Sequence, residues 1–212
     1  MNRTELVFIL DRSGSMSGLE TDTIGGFNST IEAQRKLEGE TRVSTILFDN
    51  QFEELHDRID LKDIQALTSQ QYFVRGSTAL YDAVAMGIRK IANVQAAVKT
   101  EAQADKVIVV IITDGYENCS RETSAAMLKK MIERQRAKGW EFIFMGANID
   151  ACLAAGEIGI DSSNAANFVA DSQGVKIQYE CLSNAVMTLR SGKHLPKDWQ
   201  GQVEEDKKLR GK

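Results

Sequence analysis

Apolar residues along this chain fall into two kinds of run, and the two kinds alternate. Leu6-Val7-Phe8-Ile9-Leu10 is continuous, the pattern of a strand covered on both faces. A loop of small residues follows, Ser13 to Gly18. Ile24, Phe27 and Ile31, with Arg35 continuing the series, then show the spacing of three and four that marks a helix. Val43 to Phe48 reads as the next strand, Asp49-Asn50 as a tight turn, and Phe52 to Ile59 as its antiparallel partner. Ile64 to Leu67 reads as a short helical turn. Arg75-Gly76-Ser77-Thr78 is a loop, and Leu80, Val84, Ile88 and Ile91 give Leu80 to Val94 a strongly amphipathic helical pattern.

Lys106 to Thr113 is the clearest buried strand, with no polar break from Val107 to Ile112. Ser124 to Lys138 is a further helix, stopped by Gly139 where a C-terminal cap belongs. Glu141 to Met145 reads as a strand, Asp150 to Glu157 as a short helix and Ala166 to Val169 as a weak last strand. Gly174 to Leu189 is the last helix. Strands alternating with helices predict the α/β class: a mainly parallel sheet with helices on both faces and the Phe52 strand antiparallel at one edge. Residues 1–190 read as one domain. Residues 191–212 read as a poorly ordered, mixed-charge tail in which Trp199 is a local anchor.

Composition removes several alternatives. The 212 residues suffice for one well-buried core. The formal net charge of -4 disfavours a polyanionic partner, so nucleic acid is not expected. No apolar run approaches the roughly 20 residues of a membrane span. The N-terminus lacks the apolar stretch of a secretory signal, because Asp11 and Arg12 interrupt it. Cys119, Cys152 and Cys181 are odd in number and lack metal-ligand spacing, which suits free thiols in a reducing cytoplasm.

The candidate chemistry lies at two strand ends. In an open parallel sheet ligands bind beyond the carboxyl ends of the strands, and Asp11 and Asp114 each close an apolar strand there. Asp11 is followed by Ser13 and Ser15, whose alternation lets one carboxylate and two hydroxyls share a side of the loop. Carboxylates and hydroxyls suit hard cations, Mg²⁺, Mn²⁺ or Ca²⁺. Two aspartates roughly neutralise a dication, while hydroxyls add ligands without charge. Such an ion keeps its appetite for an outside acid. Taken singly, these residues fit an N-cap or a turn equally well.

Asp11-Arg12-Ser13-Gly14-Ser15-Met16, after its apolar strand, resembles the first metal-site motif of von Willebrand factor type A (VWA) domains. Gly76-Ser77-Thr78-Ala79-Leu80 is similar to that family's threonine loop, and Thr113-Asp114-Gly115 to its third motif. The resemblance spans roughly residues 4 to 190. It implies a Rossmann-like sheet of about six strands, five parallel and one antiparallel at an edge. It also implies a metal-ion-dependent adhesion site (MIDAS) of Asp11, Ser13, Ser15, Thr78 and Asp114. Ser13 and Ser15 would be direct ligands, Thr78 direct or through water, and the aspartates direct or one shell out. Ser77 stands where many members have glycine. By analogy with stand-alone intracellular bacterial or phage members, the chain resembles adaptors of stress, metal-resistance or ATPase-linked complexes.

Catalytic signatures are sparse. His56 and His194 read as surface residues, so a Ser-His-Asp hydrolase is hard to build. No phosphate-binding glycine loop is present. The expectation is a non-enzymatic, cytoplasmic module that grips an Asp or Glu of a partner protein through its divalent cation. Its loops Met16 to Thr23, Tyr72 to Ser77 and Tyr116 to Thr123 would choose the partner. The alternative is a metal-dependent hydrolase or phosphoryl-transfer enzyme on the same ion. It needs a general base, for which Glu117 is the nearest residue, though it reads better as a cap or lining of the helix that follows.

Overall fold

The sheet is built from the runs that carry no polar break. A computed structural model describes residues 3–210. Its strands are β1 (Arg3–Asp11), β2 (Glu40–Phe48), β3 (Phe52–Asp60), β4 (Lys106–Thr113), β5 (Glu141–Gly146) and β6 (Ala165–Asn167). They lie in the order β3-β2-β1-β4-β5-β6, with β2–β3 antiparallel and the other four pairings parallel. This is the expected Rossmann-like α/β sheet with an antiparallel edge strand.

Side chains alternate across the sheet, so each strand feeds two cores. Leu6, Phe8 and Leu10 of β1 and Ile108, Val110 and Ile112 of β4 pack with α1 (Glu20–Arg35) and α5 (Ser172–Arg190). Val7, Ile9, Val109 and Ile111 pack on the other face with α2 (Leu80–Ala97), α3 (Ala125–Arg136) and α4 (Ala151–Glu157). Among the described residues no helix is long and apolar enough to cross a membrane. Across α1 and α5 the approach is close. A Cβ on Gly26 would fall 2.1 Å from the ring of Tyr179.

Three expectations are corrected. The segment 64–67 is not helical, because tertiary contacts satisfy its backbone instead. Asn28 of α1 brackets Leu67, accepting from its N–H at 2.7 Å and donating to its carbonyl at 3.0 Å. Arg35 donates to the carbonyls of Leu61 and Ile64. His56 is buried rather than at the surface, with Nδ1 3.0 Å from Thr45 Oγ1 and its ring stacked on Phe27.

The third correction is the expected poorly ordered tail. It forms a helix, α6 (Gly201–Leu209), docked beside β6 and α5. Buried Gln200 donates to the carbonyls of Ser163 at 3.1 Å and Ala165 at 2.5 Å, and Trp199 Nε1 to Ser163 at 2.7 Å. Val203 enters the α1–α5 core. The sparse, scattered apolar content of this segment concealed it, since polar anchors with Leu195, Trp199 and Val203 do the docking.

Candidate metal centre

β1 and β4 are neighbours in register, Leu10 opposite Ile112, so Asp11 and Asp114 emerge on one rim. Asp11 is fully buried. Its Oδ1 accepts the Ser13 N–H at 2.7 Å and its Oδ2 the Thr113 hydroxyl at 2.6 Å, while its carbonyl accepts the Tyr72 hydroxyl at 2.5 Å. From there the oxygens run in a chain. Ser13 Oγ stands 3.0 Å from Ser15 Oγ, Thr78 Oγ1 donates to Ser13 Oγ at 3.1 Å, and Ser15 Oγ donates to Asp114 Oδ1 at 2.5 Å. The structure thus brings all five sequence-predicted residues together.

Two carboxylates crowd this rim, and among the described residues neither has a cationic partner. Burial pushes the Asp11 carboxyl up to about 6, against the opposing hydrogen bonds from Thr113 and Ser13. Burial also raises Asp114, opposed by the Ser15 hydroxyl. The second oxygen of Asp114, Oδ2, is buried with no hydrogen-bond partner among the described residues. Such an orphan is costly unless something absent from the protein itself satisfies it. A dication fits: it would neutralise the pair and take the orphaned oxygen. Among the described residues no group of three or more His, Cys, Asp or Glu side chains is placed to hold a metal, so hydroxyls are essential to any ligand set here.

The supporting shell is where the sequence was silent. Arg12 is fully buried inside the serine motif, with Nε donating to Asp49 at 2.9 Å and Nη1 to Glu53 at 2.8 Å. Arg75 Nε reaches the same Asp49 oxygen at 2.8 Å, and its N–H donates to the Arg12 carbonyl at 2.9 Å. The Gly14 N–H donates to the Gly76 carbonyl at 3.1 Å, tying the serine loop to the threonine loop. Gly76 has φ +68, and a Cβ there would also fall 2.0 Å from Asn50 Oδ1. Asn118 closes the other side: its Oδ1 accepts the Thr78 N–H at 3.0 Å. Only the charge of Arg12 amid small residues hinted at any of this.

Glu117 caps the preceding helix rather than the following one. It accepts from the N–H groups of Tyr81, Cys119 and Ser120 and from the Ser120 hydroxyl. Around the cluster stand exposed aromatics, Phe73 at 43% and Tyr116 at 56%. Phe73 lies under both guanidinium groups, 5.5 Å from Arg12 and 5.4 Å from Arg75.

Residues 1–140 match the family described as VWA domain containing CoxE-like protein, a stretch that holds all five oxygen-bearing residues. The vWF domain of a type V pili tip protein from Porphyromonas gingivalis superposes with a TM-score of 0.65 at 11% identity, covering 92% of this chain and 97% of that one. A von Willebrand factor type A structure from Catenulispora acidiphila gives 0.60 at 14% identity, covering 88% and 43%. Proximal thread matrix protein 1 from the mussel byssus, with a zinc-occupied MIDAS motif, gives 0.57 at 12% identity, covering 87% and 46%. The chain therefore spans about half the length of the mussel protein. These identities bear on the fold alone. No curated protein matches the sequence.

Proposed function

This chain belongs to the family of VWA domain containing CoxE-like proteins, and on that premise we propose that it is a binding module, not an enzyme, which captures an acidic residue of a partner protein through a divalent cation. Ser13, Ser15, Thr78 and Asp114 would hold the ion, with Asp11 beneath them fixing Ser13 through its N–H. The observation that carries this reading is the orphaned Asp114 Oδ2 at the end of a chain of three hydroxyls. A MIDAS occupied by zinc in the mussel protein supports a dication at this place in the fold. The all-oxygen set here favours harder ions, Mg²⁺ first, then Mn²⁺ or Ca²⁺. Such an ion supplies an open coordination position for a carboxylate. The exposed Phe73 and Tyr116 supply apolar contact around it, and adhesin and matrix-protein structures among the neighbours are in keeping with a protein partner.

Support for a non-enzymatic role comes from Glu117, whose two oxygens are both committed to holding the α2 end and its own loop. We place the module in the cytoplasm, in keeping with three free thiols, Cys119, Cys152 and Cys181. Pull-down with and without chelator is the direct test, with capture expected only when metal is present. Calorimetric titration with Mg²⁺ should show Ser13→Ala weakened at least about tenfold. Equal binding by wild type and variant would sink the ligand set. Turnover of generic phosphate or ester substrates that Asp11→Ala abolishes would overturn the binding-module reading.

A further inference from the structure

Beside the five-oxygen cluster, the carboxyl ends of β4, β5 and β6 enclose a cleft of about 350 Å³, within the roughly 300–1,000 Å³ of small-ligand sites. Its walls include Tyr116 after β4, Asn148 and Ile149 after β5, Asn167 and Phe168 at β6, and Lys207 of α6. The chain itself joins this cleft to the metal rim. A Cβ on Gly115 would stand 3.3 Å from Ser15 Oγ and 3.5 Å from Thr78 Oγ1, and Tyr116 is the next residue.

Two polar groups of the cleft, Asn167 and Tyr116, are left as donors. Asn167 Oδ1 is taken by the Ala151 N–H at 3.0 Å, so its NH₂ remains. The Tyr116 hydroxyl accepts the Asp150 N–H at 3.2 Å and keeps its own proton to give. Lys207 is half-buried and enters no ion pair among the described residues; Glu204 stands one turn back on the same helix, while Arg210 pairs with both Asp171 and Asp206, and Asp150 caps α4. In a chain of net charge -4, this cleft carries a lone cation, amide and hydroxyl donors, and an apolar floor from Ile149 and Phe168. That combination suits a carboxylate on a short apolar stem.

We propose that the cleft is a carboxylate subsite, taking a second acidic side chain from the same partner segment whose first acid sits on the metal. The pairing of the two acids rests on the metal-anchored binding proposed above; the subsite itself does not need the metal. Its specificity would come from α6, which delivers Lys207 to the rim.

The test uses the full ¹⁵N-labelled chain in two arms. In chelator, acetyl-glutamate amide should shift the resonances of Tyr116, Asn148 and Asn167, and Lys207→Ala should remove those shifts. In Mg²⁺, acetylated Asp–(Gly)n–Glu peptides with one to four glycines are compared with their Asp–(Gly)n–Gln counterparts. At the best spacing the diacid should bind about tenfold tighter, the value of one charge-assisted contact. Lys207→Ala should erase that advantage without changing the monoacid affinity, and Lys207→Arg should restore it. Absence of cleft shifts in chelator, or an advantage that survives Lys207→Ala, overturns the subsite. Cleft shifts in chelator with no diacid advantage in Mg²⁺ leave the subsite standing and overturn the pairing of the two acids, whereas monoacid binding that Mg²⁺ does not strengthen overturns the metal anchor.

Discussion

On the metal-binding role proposed above, Asp11 would join proton binding to metal binding. Its carboxyl lies near 3.8 in an unfolded chain and is pushed by burial up to about 6 in the folded one. A raised value means that the folded state binds the proton more tightly. In metal-free protein this contribution is fully present below 3.8 and is lost as pH rises through about 6. At 1.36 kcal/mol per pH unit it amounts to about 3 kcal/mol at most. Denaturant unfolding across this window in chelator should therefore show wild type losing stability relative to Asp11→Asn as pH rises. Saturating Mg²⁺ should reverse that loss above about pH 6, because a cation rewards the ionised carboxylate. Superimposable profiles in chelator and Mg²⁺ would count against a metal on this rim. By the same linkage, Mg²⁺ affinity should fall as pH drops through about 6.

Two elements set how rigidly the rim is held. Between α1 and α5, Gly26 lies under the Tyr179 ring with no room for a side chain. Gly26→Ala should raise helix propensity yet lower stability by about 1–3 kcal/mol, the usual cost of overpacking. An unchanged midpoint in urea would show that the helices can part without penalty. On the opposite side, Asp82 in the first turn of α2 accepts the N–H groups of Arg121, Glu122 and Thr123. With Glu117 it fastens the 116–123 segment to α2. Asp82→Ala should speed hydrogen exchange at those three amides and cost about 1–2 kcal/mol. Exchange rates that do not move would mean the loop is held by other contacts.

At the scale of the molecule, the C-terminal segment closes the β6 edge. Deleting residues 192–212 removes Val203 from the core, along with Trp199 and Gln200 from the backbone of 163–165. We expect a loss of at least about 2 kcal/mol, from the valine alone in the first instance. A truncated chain as stable as the full one would show that α6 contributes nothing to the fold. The same deletion removes Lys207, so its effect on partner affinity must be compared with that of the single Lys207→Ala change.

Sequence by itself determined the class of fold and the carboxyl ends of β1 and β4, where Asp11 and Asp114 stand, and the resemblance to VWA domains added Thr78 to them and to Ser13 and Ser15 as one proposed site. The reason is that continuous apolar runs such as Leu6–Leu10 and Val107–Ile112 can be satisfied only as central strands, and a strand's end is a local property. What only the tertiary structure decided is whatever depends on partners distant in the chain. Arg12 is neutralised by Asp49, 37 residues away, and Asn28 straightens a segment 39 residues on. Gln200 turns an apparently featureless tail into a docked helix by finding carbonyls some 35 residues back. Polar side chains carry no periodic signature. Their roles are set by which backbone groups the fold leaves unpaired, and that is known only once the chain has closed.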